Sequence, residues 1–176
     1  MVNSGFEKDI NKQDIYEHVT SPEFVYLLEA DSTILAMASY NRRLLSGIPS
    51  LIVEGIVIAP EVQGKGLFGK ITNEAFESDF VIGLRTQNPL MYKALENYCS
   101  SVYPGKTEIP EAIKVIREEL ARYLVCDMDT KGVIKGYYGG LFYGREPTHK
   151  TGTEFFKENL GMRLNKGDAL VVLGIK

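Results

Sequence analysis

The chain has 176 residues, 44% of them hydrophobic and 24% charged, with a formal net charge of −3 and a pI near 5.5. That is enough apolar material for one domain with a buried core, which argues against disorder, and no basic block marks nucleic acid or an anionic membrane as the main partner. The two cysteines, Cys99 and Cys126, form no close-spaced pair, which argues against a metal knuckle and a disulfide framework. With no membrane-length apolar run and no signal-like start after Met1, the expectation is a cytoplasmic protein without a metal.

Residues 1–20 are polar, with a loose helical pattern through Phe6, Ile10, Ile15 and Val19 that suits a segment lying over a sheet edge or a cleft. Residues 24–29 read as a strand, Ala30 to Thr33 as a turn, and residues 34–40 as the paired strand of a hairpin. Residues 44–49 read as a second connection. Residues 51–59 form a third strand, rich in β-branched and apolar side chains, which Pro60 stops because proline cannot donate to a ladder. Three sequential strands with short turns imply an antiparallel meander.

A glycine turn follows, then a helix over 66–78 with Leu67, Ile71 and Ala75 on one face. Residues 80–84 read as a short buried strand. Asn88 suits the cap, and Pro89 the first position, of a helix reaching Tyr98. Residues 100–110 read as loop, and residues 111–124 as an amphipathic helix with Ile113, Ile116, Leu120 and Leu124 inward. Residues 131–144 are dense in glycine and aromatic side chains. They suit either a substrate loop with an amphipathic tyrosine wall or a twisted hairpin whose tyrosines pack on the core, and the hairpin is slightly favoured. Residues 153–160 form a short helix stopped by Gly161, and 168–175 a last strand.

The stretch Gly64-Lys65-Gly66-Leu67-Phe68-Gly69 carries the chemistry. A strand, a glycine turn and a helix together aim backbone N–H groups and a helix N-terminus at a phosphate. Gly64, Gly66 and Gly69 fit the dinucleotide pattern G-x-G-x-x-G, but residues 60–63 separate them from the strand, and the next strand runs into Arg85 rather than an acidic residue. That leaves an NADP-like variant as a minor alternative. Gly64 to Lys70 also fits the nucleotide pattern G-x-x-x-x-G-K, but Ile71 stands where a magnesium-holding hydroxyl belongs.

The sequence Ile58-Ala59-Pro60-Glu61-Val62-Gln63-Gly64-Lys65-Gly66-Leu67 resembles the acyl-CoA loop of the GNAT superfamily of N-acetyltransferases. Gln63 and Gly66 fit the pattern; Phe68 stands where a last small residue is expected, and Gly69 comes one place late. The resemblance covers about 24–98 and is weak from about 100 onward. It implies one domain over residues 1–176, of α/β (α+β) class, with a mixed, mainly antiparallel sheet flanked by helices. It also implies acetyl-CoA as cosubstrate and a small-molecule or peptide primary amine as acceptor. A homodimer is compatible with it. A GNAT-like module that binds a CoA thioester or a protein without transfer is the rival reading.

In that frame a backbone N–H near Val57 and Ile58 polarises the carbonyl, and Gln63, Gly64, Lys65, Gly66, Leu67, Phe68 and Gly69 cradle the pyrophosphate. Lys65 is equally well explained as a solvated loop lysine. Asn88 fits the family asparagine beside the pantetheine arm. The family's acid, a tyrosine seven residues later, is replaced by Leu95; Tyr92 is the candidate acid and a pantetheine neighbour, with packing as its alternative. Glu54, inside an apolar strand, is the candidate base, since burial would raise its pKa toward neutral. Pairing with Arg42 or Arg43 on the neighbouring strand is its equal alternative. His18 and His149 have no partner at metal or triad spacing, and Glu119, Asp127 and Asp129 form no metal spacing.

Overall fold

A computed structural model describes residues 1–77, 80–105 and 107–176. Its sheet runs in the order β1 (Phe24–Ala30), β2 (Thr33–Leu45), β3 (Ile48–Ile58), β4 (Val81–Thr86), β7 (Ala169–Ile175) and β5 (Ser101–Tyr103), and β6 (Val133–Ile134) also pairs with β7. Every pairing is antiparallel except that of β3 with β4. This is the mixed, mainly antiparallel sheet expected.

Strand alternation divides the core. Leu51, Val53, Ile82, Leu84, Leu170 and Val172 join one cluster with α3 (Leu67–Ala75) and α4 (Pro89–Tyr98). Ile52, Val81, Val171 and Leu173 join another with Ile116 and Leu120 of α5 (Glu111–Tyr123). Both faces of the central strands are covered, so they read as unbroken apolar runs rather than as alternations. The N-terminal segment forms α1 (Val2–Phe6) and α2 (Lys12–Thr20), neither with a buried residue. A Cβ on Gly5 would stand 2.9 Å from Val57 Cγ1, so α1 lies close over the end of β3. No helix among the described residues is long and apolar enough to cross a membrane.

Several sequence expectations change. The connection read at 44–49 is a two-residue turn, Ser46-Gly47, with φ of 52° and 78°, the positive values that tight hairpins need. Pro49 fits inside β3 because Leu45↔Ile48 closes the turn, and the next pair, Leu44↔Pro49, does not call on its missing N–H. Glu119 Oε2 pins this turn, accepting from Ser46 Oγ at 2.7 Å. The helix read at 66–78 ends at Ala75, and Ser78 lies outside the described residues. The loop read at 100–110 contains β5. Residues 155–159 form a π-helical turn after a three-residue α6 (Gly152–Glu154), and Gly161 follows with φ of 67°.

The 131–144 segment is not a hairpin. After β6 it runs as turns over the end of β4, held by two buried polar side chains. Gln87 is 1% exposed. Its Nε2 donates to the carbonyls of Gly140 (3.2 Å) and Leu164 (3.0 Å), and its Oε1 accepts from Phe142 N at 2.9 Å. Asp168, fully buried, accepts from Gly136 N at 3.0 Å, Arg163 N at 2.9 Å and Lys135 Nζ at 3.1 Å.

Burial pushes the Asp168 carboxyl up, but the amides of Arg163 and Gly136 and the Lys135 ammonium outweigh it and hold it below its ordinary value. A depressed folded pKa contributes stability that is complete at neutral pH and is lost as pH falls below about 4. Denaturant melts of Asp168→Asn should therefore show their largest deficit from wild type near pH 7. The two curves should converge as pH falls toward about 3.

Candidate active site

β3 and β4 separate part-way along. Their pairing ends at Val53↔Leu84, while β3 stays with β2 as far as Ile58↔Ala36 and β4 stays with β7 as far as Thr86↔Leu170. A gap opens between residues 54–58 of β3 and the end of β4. Ala59 N donates to Leu35 O at 2.9 Å. Ladder alternation from that bond turns the N–H groups of Ile56 and Ile58 away from β2 and into the gap. Val57, of opposite parity, faces α1.

A β-bulge marks the mouth of the gap. Ser39 faces Gly55 but Tyr40 faces Val53, so Glu54 is the extra residue. Alternation from Ile52 keeps the Glu54 carboxylate on the α5 side, and the bulge flips the parity of the residues after it, so that Ile56 and Ile58 face the other cluster. Glu54 Oε1 accepts from Tyr123 Oη at 2.7 Å and from Asn41 Nδ2 at 2.8 Å, while Asn41 Nδ2 also donates to Tyr123 Oη at 2.7 Å. Glu54 Oε2 carries no hydrogen bond among the described residues. The expected pairing with Arg42 or Arg43 is corrected: Arg42 binds Glu77 at 3.1 Å and Arg43 binds Glu23 at 2.6 Å. Burial first, then the bond to Glu54, raises the Tyr123 pKa, so the phenol keeps its proton and serves as the donor.

The glycine turn lies at the end of β3. Gln63 Nε2 donates to Ile58 O at 2.9 Å and ties the turn back to the strand. Gly64 and Gly66 have φ of 74° and 71°, with open space where a Cβ would project. Lys65 is exposed. Gly66 is the N-cap of α3, which has no side-chain cap. The backbone N–H groups of residues 64–69 have no acceptor among the described residues, the condition in which a helix N-terminus receives an anion. Leu67 is half-buried. Phe68 is buried, edge-on to Tyr98 at 5.6 Å, so its bulk is absorbed in the core. A Cβ on Gly69 would stand 3.2 Å from Tyr98, so the late glycine serves the approach of α3 to α4.

Asn88 caps α4 as expected, its Oδ1 accepting from Leu90 N at 2.8 Å. Tyr92 sits in the core, 2% exposed, stacked on Phe155 at 5.2 Å, and its hydroxyl donates to Pro104 O at 2.9 Å. Burial, with the Glu96 carboxylate, raises its pKa. That is the environment of a packing tyrosine. Leu95 is fully buried. His149 Nδ1 accepts from Gly152 N at 3.1 Å, a capping role, and His18 Nδ1 lies 2.8 Å from Asp14 O. Among the described residues, no group of three or more His, Cys, Asp or Glu is placed to hold a metal ion. A cleft of about 520 Å³ opens between Pro104, Ile109, Lys131, Phe155 and Leu160, and none of the expected site residues lines it.

Asn41, Tyr123 and Gln87 were not anticipated. Nothing local marks Asn41, which is followed by two arginines in β2, or Tyr123. The dinucleotide alternative is corrected, because that fold needs a doubly wound parallel sheet and, among the described residues, β3 and β4 are the one parallel pair.

No family model and no curated protein matches the sequence. Among solved structures, the chain is similar to the IAA acetyltransferase from Bacillus cereus ATCC 14579, with a TM-score of 0.50 and 12% identity over 99% of this chain and 91% of that one. It is also similar to the ribosomal-protein-S18-alanine N-acetyltransferase from Escherichia coli, with a TM-score of 0.44 and 13% identity over 94% and 77% of the two chains. A third similar structure is the GphF GNAT-like decarboxylase in complex with isobutyryl-CoA, with a TM-score of 0.42 and 14% identity over 94% and 85%. At such identities the likeness speaks to fold alone, and the first comparison spans almost the whole of both chains: with its mixed, mainly antiparallel sheet flanked by helices, the chain has the GNAT fold.

Proposed function

We propose that the protein is an acyl-CoA-dependent N-acyltransferase that moves an acetyl group from acetyl-CoA directly to a primary amine. One observation carries the reading: the gap between β3 and β4 opens beside a glycine turn whose N–H groups, from Gly64 to Gly69, have no acceptor among the described residues. Six amides from Gly64 to Gly69 and the α3 dipole suit a pyrophosphate; the dipole contributes about 0.3–1 kcal/mol. The edge of β3 suits an extended pantetheine arm, and the N–H groups of Ile56 and Ile58 suit the developing oxyanion.

The chemistry then follows from Glu54. Its Oε2 takes a proton from the amine, directly or through water. The amine nitrogen forms a C–N bond at the thioester carbonyl, the C–S bond breaks, and the departing thiolate takes a proton from solvent. Tyr123 and Asn41 act as positioning residues that hold the carboxylate on the bulge. Unpaired Cys99 and Cys126 suit a reducing compartment such as the cytoplasm.

Titration calorimetry of the whole chain against CoA, NADP and ATP tests the donor site. The expected result is micromolar or tighter binding of CoA alone. Tight NADP or ATP binding without CoA binding would overturn the proposal. A non-catalytic CoA-binding module is the second reading, favoured by the commitment of the Tyr92 hydroxyl to Pro104 O. Tight CoA binding with no thiol release on any amine would select it.

A further inference from the structure

We propose that the amine acceptor also carries a carboxylate, bound by the guanidinium of Arg85; the amine half of this rests on the acyl-transfer reading, the carboxylate half does not. Arg85 pairs across the sheet with Val171, which belongs to the α5-side core, so both point to that face. Glu54 faces the same side, since its carboxylate meets Tyr123 of α5. The two residues directly follow the last β3–β4 pair, Val53↔Leu84, one on each strand. They therefore flank the mouth of the gap, a carboxylate on one bank and a guanidinium on the other.

Arg85 is a half-buried cation without an anion. Its Nε is buried with no hydrogen-bond partner, and no Asp or Glu among the described residues pairs with it. Arg42 and Arg43, on β2, each have a glutamate. Sequestering a charge without a counter-charge is costly, so the arrangement is best satisfied by a ligand that brings one. The Tyr137 ring covers one face of the guanidinium, 4.0 Å from its carbon, and the Tyr138 hydroxyl, a neutral acceptor, lies within hydrogen-bonding reach of it. Stacking occupies the face, a phenol can take only one of the five N–H donors, and the buried Nε still lacks a partner, so an in-plane carboxylate matches what remains of the fork.

Charge separation then selects the substrate class. An amino acid or a similar short amine with an acid group would turn its nitrogen to Glu54 and its carboxylate to Arg85. This also gives the 131–144 segment a use: Gln87 and Asp168 pin its tyrosines beside the strand end, where they form the wall of the acceptor site.

NMR titration of the whole chain with matched acid and amide pairs, glycine with glycinamide and phenylalanine with phenylalaninamide, tests this with and without CoA. The acid should bind about 10–100-fold more tightly than its amide. The preference should fall to within about twofold in Arg85→Gln and be partly kept in Arg85→Lys, which retains charge but loses the fork. Equal affinity of acid and amide for the wild type, or an unchanged preference in either variant, would overturn the proposal. Should Arg85→Gln not fold, the wild-type pairs and Arg85→Lys decide it. Acid preference without CoA binding would sink the acyl-transfer reading alone, and CoA binding without acid preference would sink this one alone.

Discussion

Glu54→Gln should lower the rate of amine acetylation by about 10²–10⁴-fold, the usual worth of a positioned base, while CoA affinity stays within about twofold. The substitution keeps the shape of the side chain and an oxygen that can accept from Tyr123 and Asn41. It removes the proton acceptor and little else. The CoA contacts proposed above are backbone groups on β3 and the glycine turn, which the change does not touch. The loss should therefore appear in kcat, with the KM for acetyl-CoA nearly constant, because only an interaction made in the transition state has gone. Thiol release under saturating donor measures it. A variant with wild-type kcat would reduce Glu54 to a structural partner of Tyr123 and Asn41.

The largest stability effect should come from Gln87→Leu. Leucine has nearly the volume of glutamine, so packing changes little. Three backbone groups lose their partner, the carbonyls of Gly140 and Asp168 and the N–H of Phe142, while the Leu164 carbonyl keeps the N–H of Gly167. A buried polar group left unsatisfied costs about 1–3 kcal/mol, so a total of about 3–5 kcal/mol is expected, discounted for the carbonyls that water can still reach. For a chain of this size that lowers Tm by roughly 10 °C. Hydrogen exchange at Phe142 N–H should accelerate as well, because its acceptor is gone. A loss below about 1 kcal/mol would show that the 136–144 turns are held by their aromatic contacts, such as Phe6 with Phe142 at 5.2 Å, rather than by this side chain.

How much was legible in advance depended on the range of the interaction. The helix over 89–98 was read to the residue, because Asn88 and Pro89 supply both the cap and the first position within two places of each other. The glycine turn was equally plain, and so was Gly161 as a stop. The connection at 44–49 was placed correctly but drawn too long, and only the register of Leu44↔Pro49 in the ladder shortens it to Ser46-Gly47. The bulge at Glu54 has no local sign; it exists because β2 and β3 pair with one residue to spare.

The amino-acid sequence by itself determined the strand pattern, the glycine turn, the caps and the presence of a lone glutamate in an apolar strand, since each follows from side chains a few positions apart. Tertiary structure alone decided what that glutamate meets, for Asn41 lies 13 residues away along the chain and Tyr123 lies 69. It alone decided that Gln87 holds a segment 53–77 residues distant and that Arg85 stands across the gap from Glu54. Such contacts depend on how sheet and helices close on one another, and no short-range rule of propensity or spacing carries that information.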